Sequence, residues 1–228
     1  MKLDASAAVV LLSGGQDSTT CLAWALRTFT TVRTLAIDYG QRHRIELKAA
    51  EEIAERAGVA HAVLPCDSFA VLGGNSLTGS QAVADGVDPE TGLPNTFVPG
   101  RNLIFLTLAA AFAWKVRAAN LVTGVCETDY SGYPDCRAET MSALQTALNK
   151  GMDAPFVIHT PLMHLSKAQT VWLARDLGAL SLMAWSHTCY QGAVPPCGKC
   201  PACILRAKGF AEAGIPDPLL ERVGPSPR

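Results

Sequence analysis

The chain has 228 residues, is 49% hydrophobic and carries a formal net charge of −1. That length and apolar content support one well-buried core with a small appendage and leave no room for a second large catalytic domain. Scattered Lys and Arg exclude the bulk electrostatics of a nucleic-acid binder, and the apolar runs are too short or too interrupted to span a bilayer.

The first residues, Met1 to Ser6, lack the long apolar core of a secretory signal, so a cytoplasmic location is expected. The apolar run Ala7 to Leu12 predicts a strand. It is followed by Ser13-Gly14-Gly15-Gln16-Asp17-Ser18 and then by Thr19 to Leu26, where Leu22, Ala23 and Leu26 stripe a helix. A polar turn between strand and helix is the form of a pyrophosphate cradle. Adjacent glycines let the backbone approach an anion, while the Ser13 and Ser18 hydroxyls and the free N–H groups of the new helix supply donors. The turn lacks G-x-x-x-x-G-K-[ST], so a grip for γ-phosphoryl transfer is not indicated. A Gly-Gly turn capped by Ser18 with no ligand is the alternative.

Val32 to Ile37, His61 to Leu64, Leu121 to Thr123 and Phe156 to His159 are further short apolar runs, with helical spacing between most of them. This alternation predicts an α/β fold built on a doubly wound parallel sheet. Ile45, Ala49, Ile53 and Ala57 stripe a second helix that ends at Gly58. From Pro65 to Gly100 the pattern loosens into Gly, Ser, Asn and Pro, too long for an ordinary connection and read as a functional loop or lid. Asn102 is expected to cap a helix over Leu103 to Trp114. Another helix covers about Arg137 to Lys150, and Lys167 to Leu177 forms the last one before a cysteine cluster. Gly224 to Arg228 reads as a frayed tail.

Four of the eight cysteines, Cys189, Cys197, Cys200 and Cys203, fall in the spacing C-x7-C-x2-C-x2-C. Gly198 permits a tight knuckle and Pro201 is placed to start the helix carrying Cys203. In a reducing compartment such clustering points to metal rather than to disulfides. Four thiolates can close a tetrahedral Zn2+ shell with no open position, which makes the metal structural. An iron–sulfur cluster is the main rival, and unliganded thiols the other. The chain thus divides into an α/β unit over 1–184, with 65–100 as its loop, and a zinc-binding segment over 185–228.

Two stretches lie where an open α/β sheet binds ligands, beyond the carboxyl ends of its strands. In Phe97-Val98-Pro99-Gly100-Arg101-Asn102, Arg101 opens a helix and can face phosphate or carboxylate oxygens, or simply be a solvated Arg beside a cap. Gly124 to Arg137 gathers carboxylates, two tyrosines and a guanidinium. Asp135 can accept paired N–H donors from a guanine-like edge, Tyr133 can stack on a flat heterocycle, and Arg137 or Lys167 can neutralise a substrate carboxylate. Turn chemistry around Ser131-Gly132 and Pro134 accounts for part of the same pattern.

The Ser13 to Ser18 turn resembles that of the ATP pyrophosphatase superfamily, whose members cleave ATP between the α and β phosphates, place AMP on a substrate oxygen and release pyrophosphate. Over nearly the whole chain the sequence resembles one family within it, the 7-cyano-7-deazaguanine synthases of queuosine precursor biosynthesis. The resemblance is carried by that turn, by Asp38-Tyr39-Gly40-Gln41-Arg42-His43, Phe97 to Asn102 and Ser131 to Arg137, and by Cys189-Tyr190 through Cys197-Gly198-Lys199-Cys200-Pro201-Ala202-Cys203-Ile204-Leu205-Arg206. Two departures are small: His187-Thr188 precedes Cys189 where the family has Ser, and Leu165-Ser166 precedes Lys167 where it has Thr.

The resemblance implies a fold of the adenine nucleotide alpha hydrolase type, and 7-carboxy-7-deazaguanine, ammonia and ATP with Mg2+ as substrates. It also implies Leu11, Leu12, Ser13, Gly14, Gly15, Gln16, Asp17, Ser18, Thr19 and Thr20 at ATP, and Asp17, Arg101 and Lys167 in catalysis. Tyr133, Asp135 and Arg137 fall to the deazapurine, and a homodimer is expected. Asp17 either orders the turn or helps hold Mg2+, and Glu127 and Asp129 are weak candidates for a general base. A tRNA thiolation enzyme of the same superfamily and a non-catalytic zinc-ribbon module are the alternatives; neither a nucleic-acid nor a membrane partner is expected.

Overall fold

In a computed structural model of the chain, described here for residues 2–41, 44–78, 86–128 and 132–225, five strands form one parallel sheet. The strands are β1 (Asp4–Leu11), β2 (Thr31–Asp38), β3 (Ala60–Pro65), β4 (Ala118–Val122) and β5 (Val157–His159), in the order β3-β2-β1-β4-β5. Every pairing is parallel, with Val9 of β1 opposite Arg33 of β2 on one side and Leu121 of β4 on the other. Each of the five apolar runs in the sequence lies within or against one of these strands. The doubly wound order reverses at β1, so the crevice beyond β1 and β4 is where such a sheet takes a ligand.

Helices cover both faces, and β1 shows why its second half is apolar without alternation. Side chains alternate across a strand, so Ala7 and Val9 face one way and Ala8, Val10 and Leu12 the other. The first set packs with Leu106, Ala109, Ala110 and Ala113 of α4 (Arg101–Val116). The second packs with Cys21, Leu22 and Ala25 of α1 (Gln16–Thr28) and with Ala50, Ile53 and Ala54 of α2 (Ile45–Arg56). Leu26, expected in the α1 stripe, is instead 39% exposed, because the buried face of α1 is centred on Leu22 and Ala25.

Among its described residues the 65–100 segment contains one short helix, α3 (Ser68–Leu72), and turns. Phe69, Ser76, Thr96 and Val98 are buried, and Ser76 donates its backbone N–H to the Asn95 carbonyl at 2.9 Å, so the described ends of the segment are packed against the fold. Residues 79–85 lie outside the described set.

Helix α4 begins two residues earlier than the sequence suggested. Gly100, at φ 71°, is its cap residue, and Asn102 lies inside the first turn. Asp135 supplies the missing cap from another loop: its Oδ2 accepts the Asn102 N–H at 2.9 Å. A side chain distant in sequence satisfies that donor, which no local pattern announces.

Beyond α5 (Ala138–Met152) and α6 (Lys167–Asp176), a further short helix, α7 (Leu180–Met183), precedes the cysteines, so α6 is not the last helix before them. The chain finishes with α8 (Pro201–Ala213) and α9 (Pro218–Val223). Pro201 stands in the first turn of α8, as its fixed φ favours. Arg206 on α8 is only 4% exposed and forks onto Asp217 at 2.6 and 2.8 Å while also reaching Ser186 and the Met183 carbonyl. This buried network pins the C-terminal segment to α7. Close packing pins it to α6 as well, since a Cβ at Gly209 would lie 2.8 Å from the Cβ of Lys167. Residues 226–228 of the expected frayed tail are outside the described set.

Among the described residues no helix is long and apolar enough to cross a membrane.

Candidate active site

At the carboxyl end of the sheet, where β1 and β4 diverge, lies a cleft of about 360 Å3. The Ser13 to Ser18 turn forms its floor. Gly14 needs φ 85°, and a Cβ there would stand 2.2 Å from the Glu46 carbonyl oxygen, so the turn presses directly on the start of α2. Ser18 Oγ donates to the Gly15 carbonyl at 3.0 Å and accepts the Ser13 N–H at 3.2 Å, with Ser13 Oγ 3.1 Å away. The hydroxyls fold the turn, and the first N–H groups of α1 open into the cleft as an anion site.

Asp17 and Lys167 meet there. Lys167 Nζ lies 2.6 Å from Asp17 Oδ2, with the lysine 10% and the aspartate 27% exposed at the side chain. Asp17 Oδ1 also receives Gln16 Nε2 at 3.4 Å. Lys167 holds the first position of α6, whose start is fixed by a capping box in which Ser166 and Gln169 satisfy each other's backbone N–H. Ser166, standing where the family pattern has Thr, caps the helix that carries Lys167. Both oxygens of Asp17 are thus engaged by neighbouring side chains.

At the other end, Arg101 enters the cleft from the first turn of α4, its guanidinium carbon 5.9 Å from the Tyr39 ring centre. Burial works against the Arg101 charge, but the phenols of Tyr39, Tyr133 and Tyr190 and the carboxylate of Asp135 outweigh it, and the group is held more firmly cationic than in water. Burial in turn pushes all three tyrosines up, so they remain neutral hydroxyls. Tyr133 shares a 2.6 Å hydrogen bond with Thr96 and its ring lies 5.4 Å from that of Phe97. The sequence marked Tyr39 and Tyr190 only as motif positions, yet both line the cleft.

Glu46, in the first turn of α2, is the residue the sequence reading missed. It lines the cleft, and burial pushes its carboxyl up to about 7 despite the opposing pull of Arg101. The helical stripe placed Ile45 inward and left Glu46 to solvent. The available signal was its place in the first turn of a helix that starts at the carboxyl edge of the sheet.

Other expected contacts are absent from the cleft wall. Gly14, Thr19 and Thr20 lie beneath it; the two threonine hydroxyls donate back to the Gly15 and Gln16 carbonyls inside α1. Asp135 stands behind Tyr133 as the cap of α4, and Arg137 lies outside, at the cap of α5, 3.8 Å from Glu139. Glu127 is turned to α5, where it accepts the Ala138 N–H, and does not line the cleft. Arg42, His43, Asp129 and Ser131 lie outside the described residues.

The C-terminal segment builds the remaining wall. The four Sγ atoms of Cys189, Cys197, Cys200 and Cys203 lie within 4.8 Å of one another, all buried, with Cys197 and Cys203 3.9 Å apart. Tetrahedral bonds of about 2.3 Å separate sulfurs by roughly 3.8 Å, so the set fits a four-thiolate metal site. Backbone N–H groups of Cys197, Lys199 and Cys200 point at the sulfurs at 3.3 to 3.4 Å, the donors that coordinated thiolates attract. A hydrogen bond from Cys203 draws the Cys200 thiol down and leaves Cys203 raised, as in a pair holding one proton. The strap leading to Cys189 lies on the phosphate turn: the His187 N–H donates to the Gly14 carbonyl at 2.8 Å.

The family model described as "Queuosine biosynthesis protein QueC" matches residues 7–214. This chain belongs to the QueC family. A 7-cyano-7-deazaguanine synthase of Laribacter hongkongensis is 62% identical over 221 residues, 96% of this chain and 96% of its own length. The synthase of Chromobacterium violaceum is 64% identical over 218 residues, 94% and 93% of the two chains. That of Bacillus subtilis is 49% identical over 207 residues, 90% and 94%. An NH3-dependent NAD synthetase from Campylobacter jejuni resembles the chain in shape, with TM-score 0.49 and 13% identity over 77% of this chain and 66% of that one. As a member of the QueC family the chain is an enzyme of queuosine biosynthesis, and the thiolation and non-catalytic readings fall away.

Proposed function

We propose that this enzyme is an ATP-dependent ligase that joins 7-carboxy-7-deazaguanine and ammonia and carries the product on to 7-cyano-7-deazaguanine. One observation carries the reading. The Ser13 to Ser18 turn, open at the start of α1, faces the cations of Lys167 and Arg101 across a single cleft in a QueC family chain.

A substrate carboxylate oxygen attacks the α-phosphorus of ATP. The bond to the bridging oxygen breaks, and pyrophosphate leaves into the turn, where the N–H groups of α1 receive its charge. Lys167, held by Asp17, and Arg101, held by its tyrosines, offset the negative charge that the two substrates bring together. Mg2+, when bound with ATP, adds further charge neutralisation at the phosphates. Ammonia adds to the acyl adenylate, loses a proton and expels AMP, leaving the primary amide. The amide oxygen then attacks the α-phosphorus of a second ATP and expels its pyrophosphate, and loss of AMP and the remaining nitrogen protons gives the nitrile. No protein nucleophile is needed, so orientation and fixed charge carry the rate.

Tyr133 supplies a ring face for the heterocycle. Asp135 acts as a positioning residue, since it caps the helix whose first residue is Arg101. Zn2+ suits the four-thiolate site and closes its shell, which leaves it to hold the His187–Cys189 strap against the turn. The protein is expected to be a cytoplasmic homodimer, a point for light scattering. Mass spectrometry after incubation with the acid, ammonium and MgATP tests the reaction: a nitrile with AMP supports it, whereas an amide that persists removes the second round.

A further inference from the structure

The deazapurine needs a partner for its ring edge, and the residue that the sequence offered is unavailable: Asp135 Oδ2 is taken by the Asn102 N–H, and Asp135 forms no part of the cleft wall. Among the described residues, the cleft is lined by two carboxylates, Asp17 and Glu46. Asp17 is committed to Lys167 at 2.6 Å and to Gln16. The Glu46 side chain makes no hydrogen bond or ion pair with any described residue, while lining the same cleft as the phosphate turn.

We propose that Glu46 reads the pyrimidine edge of the substrate, its two carboxylate oxygens accepting the N1–H and the 2-amino N–H of the 7-deazaguanine ring. The inference rests on the ligase reading above. Those two N–H groups lie side by side in the ring plane, and a carboxylate is the side chain that can accept both at once. The surroundings suit a flat heterocycle. Arg101 acts on the Glu46 charge from α4, Tyr39 from the loop after β2 and Tyr190 from the cysteine segment, so this end of the cleft is aromatic and cationic. The contact between Gly14 and the Glu46 carbonyl fixes the distance between the edge reader and the phosphate turn, which sets where the substrate carboxylate meets ATP.

Burial raises the Glu46 carboxyl to about 7. Paired N–H donors favour its charged form, so binding of the acid strengthens as pH rises through that value and releases a proton below it.

The experiment is acid-dependent ATP–pyrophosphate exchange without ammonia, which isolates the first adenylylation. The probes are 7-carboxy-7-deazaguanine and its analogue lacking the 2-amino group. The wild type is expected to favour the amino compound by roughly 10- to 100-fold in kcat/KM. Glu46→Gln should raise KM for the acid by a similar factor, leave KM for ATP unchanged, abolish the preference and flatten the rise in affinity between about pH 6 and 8. Glu46→Asp, which keeps the charge on a shorter stem, should retain part of the preference. Undiminished discrimination in Glu46→Gln with a loss confined to kcat would overturn the proposal in favour of a proton-accepting role. Equal rises in both KM values would overturn it in favour of a structural one. Absence of acid-dependent exchange in the wild type would instead overturn the ligase reading beneath it.

Discussion

At the scale of single residues, the cleft joins charges that the sequence separates by 150 positions. Lys167 and Asp17 pair at 2.6 Å with the lysine nearly buried, so removing one partner strands the other in a poorly hydrated place. Lys167→Met is expected to lower the rate of the first adenylylation by roughly 100-fold or more, the scale of a lost transition-state charge contact, with KM for the acid little changed. Pre-steady-state pyrophosphate release measures it; a variant with wild-type release would show that Lys167 only braces the turn. The sequence contained the members of this pair but not their meeting, because Lys167 is delivered by a capping box on α6 and by the bare backbone of Gly209 beneath it. Glu46 was harder to see still. A helical stripe assigns faces relative to the core, and a first-turn residue at the rim of a sheet can face neither core nor bulk water.

At the scale of elements, one cap couples two loops. Asp135 holds the first turn of α4, and with it Arg101, so Asp135→Ala should cost about 1 kcal/mol of stability, as a lost N-cap does, and also reduce activity through Arg101. Urea unfolding and exchange kinetics measured together check this: a stability loss with full activity would free Arg101 from that dependence. The cysteine segment makes a similar link. Because the His187 N–H bonds to the Gly14 carbonyl, stripping the metal with a strong chelator is expected to loosen the phosphate turn along with α8, lowering ATP affinity before global unfolding. ATP binding followed by calorimetry during chelation, with added Zn2+ restoring it, is the test; unchanged binding in the metal-free protein would make the segment a remote staple. The strands were legible because their inner stretches, Ala7 to Val10, Leu35 to Ile37 and Leu121 to Val122, are buried on both faces and read as short apolar runs. The caps were not, since Asp135 and Glu127 reach across the sequence to donors that local patterns assign to Asn102 or leave open.

At the scale of the whole molecule, the parallel sheet brings every functional turn to one edge, and the charge held there is costly to the empty protein. Glu46 titrates at about 7 when folded against an ordinary 4.5. Below the lower value neither state carries its charge; as pH rises through the upper one, the folded state must ionise in the cleft and the protonated carboxyl's advantage is lost. Glu46→Gln is therefore expected to raise Tm at about pH 8 and change it little at about pH 5, in the absence of ligand. Scanning calorimetry at the two pH values checks it, and an equal shift at both would mean that the charge is not the cause. A residue that weakens the fold while serving the site is a familiar cost of function.

The central claim is that both oxygens of the substrate carboxylate leave on AMP, one in each round. With the carboxylate labelled with 18O, ammonium and MgATP supplied, mass spectrometry should find two AMP molecules per nitrile, each carrying one heavy oxygen in its phosphate, and unlabelled pyrophosphate. Heavy oxygen in orthophosphate released alongside ADP would contradict the account at its root.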